Sequence, residues 1–230
     1  MHWKDRYRSF YYATMAEVPD VVLDLKSTGL LVIDVQNAFL DDQPHDRSPA
    51  ELMEFQRWQP FFRRMRSLVI PSIQRLLAAF RVAGRPVYFV RIAGLTADGA
   101  DRSLSQRRPG FNNLLLPHRE HASQIIPELA PGPDEIVLCK TTDSALTGTN
   151  LRLLLHNMGI RDVVVAGIFT DQCVSCTVRS LADESFNVVM AEDALAAGTD
   201  ELHHKELEIL NNIYAQVMST DDVLALLGKE

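Results

Sequence analysis

The chain has 230 residues, 47% hydrophobic and 23% charged, with a net charge of −7. This suits a single domain spanning 1–230, an extension over 1–28 preceding a core at about 29–220. The acidic balance argues against a nucleic-acid partner, and the lack of an eighteen-residue apolar run argues against a membrane span.

The first residues, "MHWKDRYRSFYYATMAEV", carry basic groups but no apolar leader core, so no export signal is read. "GLLVIDV" (29–35) is the first strand-like run. It is followed by a long connection, 41–66, whose basic part "RWQPFFRRMRS" (57–67) reads as a solvated loop leading into a helix. "LVIPSIQRLLAAFRVAG" (68–84) has helical spacing with a glycine stop, and "PVYFVRI" (86–92) is the second strand. A second long connection, 94–121, precedes "DEIVLCK" (134–140), the third strand, and "TNLRLLLHNMG" (149–159), a helix. "RDVVVAG" (161–167) is the fourth strand and "CVSCTVRSLADES" (173–185) the helix after it. "FNVVMAED" (186–193), "DELHHKELEILNN" (200–212) and the short run "YAQVMS" (214–219) complete the series. Apolar runs without alternation suit strands buried on both faces, and their alternation with helices predicts an α/β doubly wound, three-layer Rossmann-like fold. The two long connections are expected to be lids, binding loops or contacts between subunits.

In such sheets ligands bind beyond the carboxyl ends of the strands. The first strand delivers Asp34 there, the third Lys140, the fourth Cys173 at a helix start, and the fifth Glu192 and Asp193. Taken singly, these are ordinary cap, solvated-end or small core residues. Together, a carboxylate, an ammonium and a thiol make a nucleophile with its base. A thiol is mostly protonated at neutral pH; a helix N-terminus and a nearby lysine favour the thiolate, and a carboxylate can take the proton. Backbone N–H groups of the turn would stabilise an oxyanion. On this reading Cys173 is the cysteine most readily alkylated, and Cys176, one helical turn on, packs beneath the site.

The segments "LLVIDVQNAFL", "KTTDSALTGTNL" and "VVVAGIFTDQCVSCTVRSLADESFNVVMAEDALAA" resemble the isochorismatase-like cysteine hydrolases, which include nicotinamidases, N-carbamoylsarcosine amidases and ureidoacrylate amidohydrolases. The resemblance implies a six-stranded parallel sheet, a homodimer or homotetramer, and a catalytic triad at Asp34, Lys140 and Cys173. It also implies a cis peptide at Ile168–Phe169 that would turn the N–H groups of Phe169 and Cys173 into an oxyanion hole. Family members that bind a metal use an Asp-x-His and a further His. Here that region offers Asp98 and Asp101, with His118 and His121 at other spacings, so no metal and no cofactor is expected. The implied reaction is hydrolysis of a small amide, carbamoyl or ureido compound. Three cysteines, an odd number, with no export signal read, point to a reducing compartment, expected to be the cytoplasm. Gln36 and either Arg107 or Arg108 are candidate substrate contacts, an arginine clamping a carboxylate.

Two other readings of the cysteines are weaker. A redox pair of Cys173 and Cys176 leaves Asp34 and Lys140 unexplained, and a zinc site lacks further ligands at closed spacing, Cys139 being the one nearby addition. A small-molecule binding protein on the same fold is the alternative from outside enzymology. Ser144 and Thr149 read as turn and cap residues, His203 and His204 as a solvated helix face, and His156 as a helix C-terminal residue.

Overall fold

The computed structural model describes residues 3–15, 17–41, 48–110 and 112–228. Six strands form one sheet: β1 (Thr28–Ile33), β2 (Val87–Ile92), β3 (Ile136–Lys140), β4 (Asp162–Ile168), β5 (Asn187–Ala196) and β6 (Gln216–Met218). Their order is β3-β2-β1-β4-β5-β6 and every pairing is parallel. Side chains of β1 are buried on both faces, with Leu30 and Val32 in one apolar cluster and Leu31 and Ile33 in the other. That is why the strand reads as an unbroken apolar run rather than an alternating one.

Helices α1 (Pro49–Arg64), α2 (Ile70–Val82) and α6 (Thr220–Leu227) cover the first face. Helices α3 (Leu151–Asn157), α4 (Ser175–Asp183) and α5 (Asp200–Leu210) cover the second. Each fully buried Leu or Ile contributes about 1.5–3 kcal/mol relative to exposure, so these two apolar layers supply most of the driving force for the fold. Among the described residues no helix is long and apolar enough to cross a membrane.

Two helices depart from the sequence expectation. The segment read as a solvated loop is α1, started by a reciprocal cap in which Ser48 and Glu51 satisfy each other's backbone N–H, with Pro49 at its first position. Pro60 inside it and an irregular spacing of aromatic and charged residues hide the helix from a periodicity reading. A wide turn over Met65–Val69, closed by Ile70 N–H on Met65 O, joins α1 to α2. The C-terminal α6 has the same kind of reciprocal cap, from Ser219 and Asp222. Residues 42–47 of the first long connection lie outside the described residues.

Candidate active site

Strand order reverses between β1 and β4, so the carboxyl ends of these neighbours open the crevice in which a doubly wound sheet places its chemistry. Asp34 follows β1 directly, with φ +55, its N–H donating to Val90 O at 2.8 Å and its C=O accepting from Gln36 N–H at 2.8 Å. Asp is among the residues that tolerate this left-handed conformation, and here it turns the carboxylate inward to 1% exposure. Lys140 ends β3, separated from β1 by β2, about 10 Å away at normal strand spacing. A four-carbon stem reaches across that distance, and the fully buried ammonium lies 2.8 Å from Asp34 Oδ2. It also donates to Thr142 O at 3.1 Å and to Cys173 Sγ at 3.1 Å.

Cys173 stands in a wide turn, Thr170–Val174, between β4 and α4. Phe169 O accepts from both Gln172 N–H at 3.0 Å and Val174 N–H at 3.2 Å, and the Ile168–Phe169 peptide preceding the turn is cis. Gly167, at φ +118, lets β4 come close to β1: a Cβ there would fall 2.0 Å from Ile33 O. The turn is thus seated against the residue preceding Asp34. A second support comes from α5. His203 is fully buried, with Nε2 2.9 Å from Arg64 Nη2 and Nδ1 2.8 Å from Thr170 Oγ1. Because a guanidinium only donates, Nε2 is the acceptor and Nδ1 carries the hydrogen given to Thr170. Burial, followed by the charge of Arg64, pushes His203 down to about 3. The expectation of a solvated His203 is therefore corrected: apolar neighbours at Leu207 and Leu210 bury that face of α5, while His204 stays exposed.

The electrostatics overturn one part of the sequence reading. Burial, then the charge of Asp34, raises the Cys173 thiol well above its ordinary value, and Lys140 only partly offsets them. Burial likewise raises Asp34 against the pull of Lys140. The resting site therefore holds a protonated thiol beside a strengthened base, not a preformed thiolate.

Other expected residues fall elsewhere. Gln36 is fully buried, donating Nε2 to Ile92 O at 3.0 Å and Ser123 O at 2.9 Å while Oε1 accepts from Ile92 N–H at 2.8 Å. With its amide spent on backbone, it braces the loop. Arg107 is exposed and donates to Ala100 O at 2.8 Å, and Arg108, also exposed, pairs through its backbone with Asn112. Among the described residues neither is hydrogen-bonded to Cys173, whose partners are Lys140 and Asp143. Asp101 accepts from Leu95 N–H, Thr96 N–H and Thr96 Oγ1, and Asp98 from Ala100 N–H, so both fasten their own loop. His118 Nδ1 lies 3.3 Å from Gly94 O, and His121 begins a one-turn helix. Glu192 holds Tyr7 and Arg6 of the N-terminal segment, and Asp193 caps α6 through Thr220. Thr149 accepts from Leu151 N–H at the start of α3, and Ser144 lies 2.9 Å from Ser180 Oγ. Cys176 is exposed on α4 rather than packed beneath the site, because the helix turns it away from the sheet; all three cysteines are free.

Two residues were not picked out from the sequence. Asp143 Oδ1 lies 3.8 Å from Cys173 Sγ and accepts from Gln106 Nε2 at 3.0 Å. Gln106 is 3% exposed, inside the second long connection. The signal for Asp143 was its place three residues after Lys140; nothing in the pattern marks Gln106.

A model of the isochorismatase domain matches residues 28–222 of this chain. An uncharacterized isochorismatase family protein, YecD of Escherichia coli O157:H7, is 31% identical over 88% of this chain and 97% of its own length. The ureidoacrylate amidohydrolase RutB of Pseudomonas savastanoi pv. phaseolicola is 29% identical over 85% of this chain and 81% of its own. A crystal structure of a cysteine hydrolase from Pseudomonas syringae pv. phaseolicola superposes with a TM-score of 0.76. It covers 93% of this chain and 98% of that one at 20% identity, and so speaks for the fold.

Proposed function

Because this chain belongs to the isochorismatase family of hydrolases, we propose that it cleaves a carbon–nitrogen bond of a small amide, carbamoyl or ureido compound through a thioester on Cys173. The observation that supports this most is a single buried ammonium, Lys140, held 2.8 Å from Asp34 and 3.1 Å from Cys173.

The chemistry runs on these groups. Asp34 takes the thiol proton as Sγ attacks the carbonyl carbon, and Lys140 keeps the carboxylate charged beforehand and the sulfur charge tolerable during attack. The carbonyl oxygen becomes an oxyanion facing the N–H groups of Phe169 and Cys173. Collapse breaks the carbon–nitrogen bond, and the departing amine takes the proton from Asp34. In the second half Asp34 removes a proton from water, which attacks the thioester; collapse releases the acid, and the sulfur recovers its proton from Asp34. Because Asp34 serves as proton acceptor in both halves, removing it should slow both.

Ammonia release from a panel of nicotinamide, carbamoylated amino acids and ureido compounds tests the reading. Cys173→Ala is expected to abolish turnover of every accepted compound, with an acyl adduct on Cys173 seen by mass spectrometry in the unsubstituted protein. Undiminished turnover in Cys173→Ala would refute it.

A further inference from the structure

The surroundings of Cys173 are rich in hydrogen-bond acceptors. Asp143 places a second carboxylate 3.8 Å from the sulfur, on the half-exposed side, opposite in kind to a carboxylate-binding arginine. Gln106 fixes it through Nε2, while Gln106 Oε1, buried, accepts no hydrogen bond among the described residues. Asp34 Oδ2 meets Lys140 as an ion pair, and Oδ1 accepts nothing among the described residues. Three cations of the surrounding segments are engaged with partners among the described residues. Lys140 is shared among Asp34, Thr142 O and Cys173, Arg102 donates to Gly99 O, Gln106 O, Leu114 O and Asn113, and Arg107 donates to Ala100 O. The half-buried rings of Phe39 and Trp58 pack against Phe169, the residue preceding the Cys173 turn, at centroid separations of 5.6 and 5.8 Å. Such ring faces attract cations.

We propose that Asp143 is a specificity-determining residue, selecting amides that carry an ammonium or similar N–H-rich cation beside the scissile bond and rejecting those that carry a carboxylate there. This rests on the hydrolase reading above, and it separates the chain from its relative named for ureidoacrylate, a carboxylated ureide. A carboxylate brought to Cys173 would meet Asp143 at short range, where like charges repel and neither is fully solvated. An ammonium would instead pair with Asp143.

The test uses three small primary amides that differ in the charge beside the amide, glycinamide (cationic), propionamide (neutral) and malonamate (anionic), scored by ammonia release at neutral pH. Glycinamide is expected to exceed malonamate in kcat/KM by about tenfold or more, the scale of one short-range charge pair in a partly solvated site. Asp143→Asn keeps an acceptor for Gln106 Nε2 and should shrink that ratio by about tenfold, mainly through KM. A second arm needs no turnover: site-resolved alkylation of Cys173 by iodoacetamide and by iodoacetate, each normalised to a small free thiol. Asp143→Asn should raise the relative rate of iodoacetate by about tenfold. Malonamate favoured by the unsubstituted protein, or an alkylation ratio unmoved by Asp143→Asn, overturns the proposal. Turnover that survives Cys173→Ala would strike the hydrolase reading instead, leaving the alkylation ratio to decide the role of Asp143.

Discussion

The Lys140 ammonium lies 3.1 Å from the Cys173 sulfur, thirty-three residues away in sequence, and yet the thiol sits far above its ordinary range. A cation at contact distance would by itself release the thiol proton. Here burial and the neighbouring Asp34 charge outweigh it, and the thiol keeps its proton at neutral pH. Exposed Cys176, though also raised by partial burial, should therefore react with iodoacetamide before Cys173 at neutral pH. Peptide mass spectrometry over a time course checks this order, which reverses the one expected from sequence. Cys176→Ala should retain most of the turnover.

The rate should depend on pH through Asp34. Burial raises its carboxyl above the ordinary carboxylate range, and the base must be ionised to act. The acid limb of kcat/KM is then expected above that range, with activity rising as pH increases through it. Asp34→Asn should lose the activity along with the limb. An acid limb at the value of a free carboxylate would show that Asp34 is not the titrating base.

Lys140 and Asp34 are 0% and 1% exposed, so each relies on the other's charge. Lys140→Met leaves an unpaired buried carboxylate and should destabilise the fold by about 3–5 kcal/mol, whereas Asp34→Asn/Lys140→Met should recover much of the loss. Urea unfolding of the three variants reads the coupling directly; equal losses in the single and double variants would deny it.

His203 should make stability fall in acid. Its folded value of about 3 lies below the ordinary 6.5, so the unfolded chain binds the proton first. The contribution is complete above pH 6.5 and declines as pH falls toward 3, with a slope of up to about 1.4 kcal/mol per pH unit. His203→Gln should flatten that part of the stability-against-pH curve, measured by denaturant unfolding at each pH.

Gly167→Ala should be the most disruptive small substitution near the site. The added Cβ would sit 2.0 Å from Ile33 O and 2.6 Å from Ile33 N, at a φ of +118 that side chains avoid. A loss of about 2–5 kcal/mol is expected from the clash and the conformation together. Because Ile33 precedes Asp34, turnover should fall even in whatever fraction folds, which circular dichroism and ammonia release measure side by side.

What could be read from the sequence follows from what leaves a local trace. The central strands bury both faces and so write themselves as unbroken apolar runs, and Asp34, Lys140 and Cys173 are visible as polar residues ending such runs. Helix α1 left a weaker trace, the Ser48–Glu51 cap, overshadowed by Pro60 and scattered aromatics. Gln36 looked like a site residue because it lies two positions after Asp34, but its amide is spent on the backbone of Ile92 and Ser123, partners distant in sequence. His203 looked solvated because its helix is charged, though three of its positions face the core. Gln106 joins Asp143, thirty-seven positions away in sequence, a tertiary contact with no local signature.

The aromatic flank has an optical consequence. Trp58, one of two tryptophans in the chain, packs 5.8 Å from Phe169, the residue on whose carbonyl the nucleophile's turn is hung. Its indole N–H is bound to Glu54 at 2.8 Å, which fixes the ring within α1. The chain therefore carries its own fluorophore against the residue that precedes the Cys173 turn. Trp3→Phe would leave Trp58 as the sole emitter, and stopped-flow traces from it should resolve formation and decay of the acyl state without a dye or a label.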